Sequence, residues 1–439
     1  MRNEVTLEAH LPLDLFDLVI NELDPEDAQD RFALLNCALV CRSFHYHSSG
    51  HLFSTIRIPS DSNPVDRVTF AERIQELYPI LEQNETLGQR IKTLIIQTEL
   101  RFTINPKDRE LIQENPFLPL VLSKLSSIRS FTWINRTGTL PWPLFNDSIL
   151  AGFRKLFSNP SLKSLSLERI EGFPVGLIMR PPNLECLQLV HVDIDDDETD
   201  NQLISSRGKL HTMLNHSAPD LSLYISDPPA PSFFSGLRIL DVWMRNFNEV
   251  RAAWAVMVSA AETLEVLNIN DLSHFQYPAL IPGPVDLGIL KRLHTIKINC
   301  TIASGDNVIF PMGICGLLSP PTSPCTIEKV TITIDWIDCG IETEQHRFPD
   351  EPAWQSLDEA LSRSTLPQLQ VVTLDLKLGY TWPEDSSLVL YCASYFNYLT
   401  PYIQTLATMV LPTLSRIPTV KTNINVLCYP SRVPYELTT

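Results

Sequence analysis

Glycine is scarce in this chain, with 15 among 439 residues, about half the usual frequency. Loops that cradle phosphate need glycine for close backbone approach, and neither Gly-x-Gly-x-x-Gly nor a Walker loop occurs. Gly-x-Ser-x-Gly, His-Glu-x-x-His and close Cys-x-x-Cys pairs are missing as well. These gaps argue against an enzyme and against a bound cofactor. Positive charge is in deficit too: 34 Lys and Arg stand against 51 Asp and Glu, for a formal net charge of −17. That charge repels nucleic acid and anionic membrane surfaces, so neither is expected as a partner, and it suits neutral or basic proteins. No stretch approaches the roughly 20 consecutive apolar residues of a membrane span.

The nine cysteines are odd in number and lack paired spacing, and the opening "MRNEVTLEAHLPLDLF" has neither the basic start nor the apolar core of a signal peptide. Reduced thiols in a cytoplasmic or nuclear protein are the expectation. Sequons at Asn84, Asn135, Asn146, Asn215 and Asn299 are the argument for secretion instead. The acidic run "DIDDDETD" (193–200) has no glycine for the turn of a calcium loop, and reads as solvated.

What the chain does have is an ordinary 44% apolar share, 34 prolines, and enough length to bury about three quarters of its unfolded surface in more than one unit. In "LPLDLFDLVINEL" (11–23), Leu15, Val19 and Leu23 recur at helical spacing beside Leu11, Phe16 and Ile20. Pro12 suits a first turn. Asp24 can cap a second helix with Pro25 in its first turn, running through "RFALLNCALVCRSF" to a stop at Gly50. Cys37, Cys41, His45, His47 and His51 all fall on this one stretch, whereas structural zinc sites place their ligand pairs on separate elements, so no metal is expected. Two or three short helices cannot bury so wide an apolar surface among themselves. Some of it must meet another chain or the following domain.

This amino-terminal segment resembles an F-box, whose pattern is Leu-Pro, then Ile and Leu along the first helix, then Val-Cys-x-x-Trp. Leu11, Pro12, Leu15, Val19, Leu23, Leu34, Val40 and Cys41 fall on that pattern. Phe44 stands where the family commonly has Trp, and the "DPEDAQDRFA" connection is longer than usual. The resemblance implies that Leu11, Pro12, Leu15, Val19, Leu23, Val40, Cys41 and Phe44 face an adaptor or form the module's core. It also implies that Cys37 and Cys41 face the packed side, and that the partners are the Skp adaptor and cullin of a ubiquitin ligase.

From residue 90 onward an apolar-x-x-apolar-x-apolar hexamer recurs: "IKTLII" (91), "IRSFTW" (128), "LKSLSL" (162), "LECLQL" (184), "LRILDV" (237), "LEVLNI" (264), "LHTIKI" (293), "IEKVTI" (327) and "LQVVTL" (369). Each predicts a short strand with one buried face, which needs neighbours to cover it. Spacing runs from 22 residues, between Leu162 and Leu184, to 53, between Leu184 and Leu237, with no asparagine ladder. The region resembles a degenerate leucine-rich repeat, and with the first segment the chain resembles fungal F-box-like proteins.

The fold class expected is α/β, a short helical module followed by an irregular solenoid or horseshoe. The divisions are 1–58 for the helical module, 59–86 for a linker helix and 87–439 for the repeats, with an inserted loop at about 195–232 and a closing helix or helix pair at 384–411. Strand alternation aims Gln188, Asp241, Trp243, Asn268, Asn270, Lys297, Thr331, Thr333 and Asp375 away from the core, as candidates to bind a target protein. The function implied is substrate recruitment to a cullin ligase; the alternative is a repeat scaffold with no ligase role.

Overall fold

The computed structural model describes residues 13–25, 27–58, 70–98, 115–195, 210–218, 233–270, 286–303, 312–318, 325–337, 351–362, 366–380, 411, 414 and 417–430. The chain divides into two compact units, Met1–Glu171 with Arg180–Pro182, and Gly172–Met179 with Asn183–Thr439.

The first unit opens with three short helices, α1 (Leu13–Glu22), α2 (Ala28–Cys37) and α3 (Arg42–Leu52), followed by β1 (Thr55–Ile58). The second helix starts later than its sequence signals suggest. Asp27, not Asp24, is its N-cap, and the Asp27 carboxylate accepts from the Gln29 and Asp30 amides. Instead of continuing through "CALVCRSF", the chain turns at 38–40 and restarts at Arg42, and α3 runs two residues past Gly50. The linker is two helices, α4 (Phe70–Gln83) and α5 (Glu85–Arg90), with residues 59–69 outside the described set. Next come β2 (Thr93–Thr98), α6 (Leu118–Lys124), β3 (Ser130–Asn135), β4 (Leu140–Pro141), α7 (Asp147–Phe157), β5 (Ser164–Glu168) and β6 (Ile170–Glu171).

Strands β1, β2, β3 and β5 pair in that order, all parallel, and β4 pairs with β6 at the side. Behind them Phe131, Trp133, Trp142, Phe145, Phe153 and Phe157 interlock, as in the Trp142–Phe153 centroid distance of 4.9 Å. Helices α6 and α7 meet where Gly152 faces Pro119, and a Cβ at Gly88 on α5 would fall 2.6 Å from the Lys124 carbonyl oxygen.

The second unit carries β7 (Phe173–Pro174), α8 (Val175–Met179), β8 (Cys186–Val190), β9 (Ile194–Asp195), β10 (Thr212–His216), β11 (Ile239–Trp243), α9 (Phe247–Ser259), β12 (Val266–Asn270), β13 (Thr295–Ala303), α10 (Met312–Leu317), β14 (Lys329–Ile337), α11 (Glu351–Ser362), β15 (Val371–Tyr380) and β16 (Lys421–Pro430). Strands β8, β10, β11, β12, β13, β14, β15 and β16 form a parallel ladder in chain order, and β7 pairs with β9.

Every quoted hexamer becomes a ladder strand, because its three apolar positions all turn inward: Leu264, Leu267 and Ile269 are each 0% exposed. Burial of each such side chain contributes roughly 1.5–3 kcal/mol. A second signature repeats with the strands. The carbonyl just before a strand accepts two successive N–H groups from the next repeat: Glu185 from His211 and Thr212, His211 from Arg238 and Ile239, then likewise Arg238, Glu265, His294 and Glu328. One acceptor holding two donors locks register without help from any side chain.

The segment read as an inserted loop at 195–232 needs correction. Inside it β10 pairs with both β8 and β11, so the gap from Leu184 to Leu237 holds one more repeat, starting at the buried Leu210. It escaped notice because its last inward position is Asn215 rather than an apolar residue. Asn215 and Asn135 do the same work in different units. The Asn215 amide donates to the Ala218 carbonyl and its oxygen accepts from the Ala218 N–H, both at 3.1 Å, while the Asn135 amide donates to the Gly138 carbonyl at 2.7 Å. Each closes the turn after its strand. The expected tail helix at 384–411 lies outside the described residues apart from Leu411.

Candidate interaction surfaces

Two surfaces, one in each unit, carry the side chains singled out above. In the first unit the helices α1–α3 bury little: Ile20 and Leu34 are enclosed, and Phe16 meets Phe44 edge-to-face at 4.9 Å. Phe44 therefore packs on α1 and, like Leu23, is half-buried. Leu15 (46%), Val19 (60%) and Val40 (68%) lie open, together with Leu18, Phe32, Leu35 and Leu39, which is 85% exposed. Those last four were missed because they lie off the family pattern, although an all-round apolar helix signals them. Leu11 and Pro12 lie outside the described residues.

Cys41 does not face a packed side. As the extended N-cap residue of α3 it is exposed, and Cys37 is half-buried. His51 Nε2 sits 2.8 Å from Asn21 Oδ1, tying α3 to α1, and His45 Nδ1 lies 3.1 Å from the Ala38 carbonyl. No group of three or more His, Cys, Asp or Glu among the described residues could hold a metal. Elsewhere, burial pushes the Cys325 thiol pKa up.

In the second unit, alternation puts Gln188, Asp241, Trp243, Asn268, Asn270, Lys297, Thr331, Thr333 and Asp375 on the face opposite the core, none of them buried. Parallel pairing aligns them in rows. Asp241, Asn268, Lys297 and Thr331 make one, with Thr373 and Asn423 following; Trp243, Asn270, Asn299, Thr333, Asp375 and Asn425 make the next.

At β10–β13 this face is closely bonded within itself. His216 Nε2 is 2.8 Å from Asp241 Oδ1, Asn270 donates to the same oxygen at 2.6 Å, Asn268 donates to Oδ2 at 3.3 Å, and Asn299 donates to Asn270 at 2.6 Å. Trp243 stacks on His216 at 4.8 Å and meets His191 edge-on at 5.3 Å, and the Arg245 guanidinium lies 4.2 Å from its centroid. Arg245 in turn is held by the buried Glu249 at 2.9 Å and by Ser217. Trp243 lies on the expected face, and its ring is engaged by three neighbours, one of which, His216, comes from the 195–232 segment.

The five sequon asparagines are likewise in structural use. Asn84 and Asn146 cap helices, Asn135 and Asn215 close the turns after their strands, and Asn299 joins the row above.

No protein-family profile matches the chain, and no curated protein matches it. Among solved structures it is similar to an internalin from Listeria monocytogenes at 13% identity, over 82% of this chain and 90% of that one, with a TM-score of 0.29. Among the described residues no helix is long and apolar enough to cross a membrane.

Proposed function

We propose that the chain is an interaction protein that recruits a target to a cullin-type ubiquitin ligase, with α1–α3 docking on the Skp adaptor and the ladder's open face holding the target. The observation that carries this reading is the exposed apolar set of Leu15, Leu18 and Val19 on α1, Phe32 and Leu35 on α2, and Leu39 and Val40 in the turn before α3. Large apolar side chains gathered this way mark a protein-binding surface. The chain itself catalyses nothing; a bound ligase gains rate from the raised effective concentration of target lysines.

Co-purification with the Skp adaptor tests it. Leu15→Asp and Val40→Asp each place a charge where an apolar interface forms, at a cost of several kcal/mol, and capture is expected to fall to background. Because both positions are exposed in the free chain, folding is expected to be unchanged. Adaptor capture at wild-type level by both variants sinks the assignment. A wild-type chain that ignores the adaptor leaves the scaffold reading.

A further inference from the structure

Beyond the bonded cluster at Trp243, the open face changes character. On β13–β16 its first two rows are Thr295 and Lys297, Lys329 and Thr331, Val371 and Thr373, and Lys421 and Asn423. They contain three lysines and no carboxylate, in a chain whose formal charge is −17. Lys297, Lys329 and Lys421 are all exposed, and among the described residues none of their ammonium groups makes a hydrogen bond or ion pair. Glu265 and Glu328 stand one residue before β12 and β14 and line a shallow cavity of about 420 Å³ with Arg292 and His294. Farther along the strands Asp335 aligns with Lys377, and Asp375 accepts from the Asn425 amide at 2.7 Å.

We propose that these rows of β13–β16 are the docking site for an Asp- or Glu-rich extended segment of the target protein. It rests on the reading that the open face holds a target, and it names that target's chemistry. The three ammonium groups supply the charge. Thr331, Thr373 and Asn423 lie between them with hydroxyl and amide groups suited to a peptide backbone. Three strand spacings of about 4.8 Å match four to five extended residues, so a short acidic run spans the patch. Elsewhere the chain's own negative charge repels such a segment, which confines it to this face.

Fluorescence anisotropy on the full chain tests this with a labelled Glu-rich peptide of about eight residues. Binding is expected to weaken as salt rises from about 50 to 300 mM. It should also weaken about tenfold or more in the triple variant Lys297→Glu, Lys329→Glu, Lys421→Glu. Lys155→Glu, an exposed charge reversal on α7, should bind as wild type. If the triple variant melts early, Lys297→Gln and Lys329→Gln tested singly should still weaken binding. No binding by the wild-type chain, equal binding of a Gln-substituted peptide, or binding that survives the reversal each overturns the proposal. Binding of a phosphoserine peptide alone overturns the carboxylate source. The assay contains no adaptor, so its failure is distinguishable from failure of adaptor docking.

Discussion

In the ladder of β8 to β16, Leu267 is fully enclosed while its neighbour Asn268 faces outward, and the same alternation repeats strand after strand. In the α1–α3 segment, Leu18, Phe32 and Leu39 lie more than half exposed. The contrast follows from what each element can cover. A ladder strand has a strand on either side and helices behind, so one periodic face suffices to bury it. Three short helices have no such backing for their remaining faces. Apolar residues of the same kinds therefore hold the fold together in one unit and remain available to a partner in the other.

Truncation breaks this comparison most sharply. Leu267→Ala should cost about 2–5 kcal/mol, because the packed ladder cannot collapse around the missing carbons. Leu39→Ala should change stability by less than about 0.5 kcal/mol, since its side chain is 85% exposed. Urea denaturation of the two variants checks both. Equal losses would mean that α1–α3 are packed in solution, leaving no free apolar surface to dock.

A smaller effect probes the turn after a strand. Asn215→Ala leaves the Ala218 N–H and carbonyl without their partner in a buried turn, at about 1–3 kcal/mol. Asn215→Leu restores the apolar hexamer but not those bonds, and should be no more stable than the alanine variant. A leucine variant matching wild type would show that the position only fills space.

The repeat architecture was legible because its signal is a burial pattern, and burial is what organises the ladder: all nine hexamers lie on strands. What escaped were places where a polar bond replaces burial. Asn215 hid a whole repeat, and Asp27 rather than Asp24 caps α2, the Asp24 carbonyl instead accepting from the Asp27 N–H at 3.0 Å. The open face was half legible. Alternation tells which way Trp243 and Asp241 point, yet the distances that join them to His216, a residue one strand away and 27 positions earlier than Trp243, come only from the register of β10 against β11. Lys329 and Lys421 carry no signal in the apolar hexamer, since both stand at polar positions at the start of their strands.

Trp243 gives the finest test of how the two ends of the open face differ. Were it a bare aromatic platform, Trp243→Ala would reduce target capture and leave stability alone. Its ring is stacked on His216, touched edge-on by His191 and covered by Arg245, contacts worth about 0.5–1.5 kcal/mol for an aromatic pair and 0.5–1 kcal/mol for a cation over a ring. These are half-buried and share neighbours, so they do not add in full, and a net loss of about 1 kcal/mol is expected. Asp375→Ala is the matched control. It removes a single exposed amide contact from Asn425 and should change stability by less than about 0.5 kcal/mol. Urea unfolding of the pair separates the cases: a Trp243→Ala chain as stable as the control would mean that the stack is open in solution, returning Trp243 to the set of residues free to meet a target.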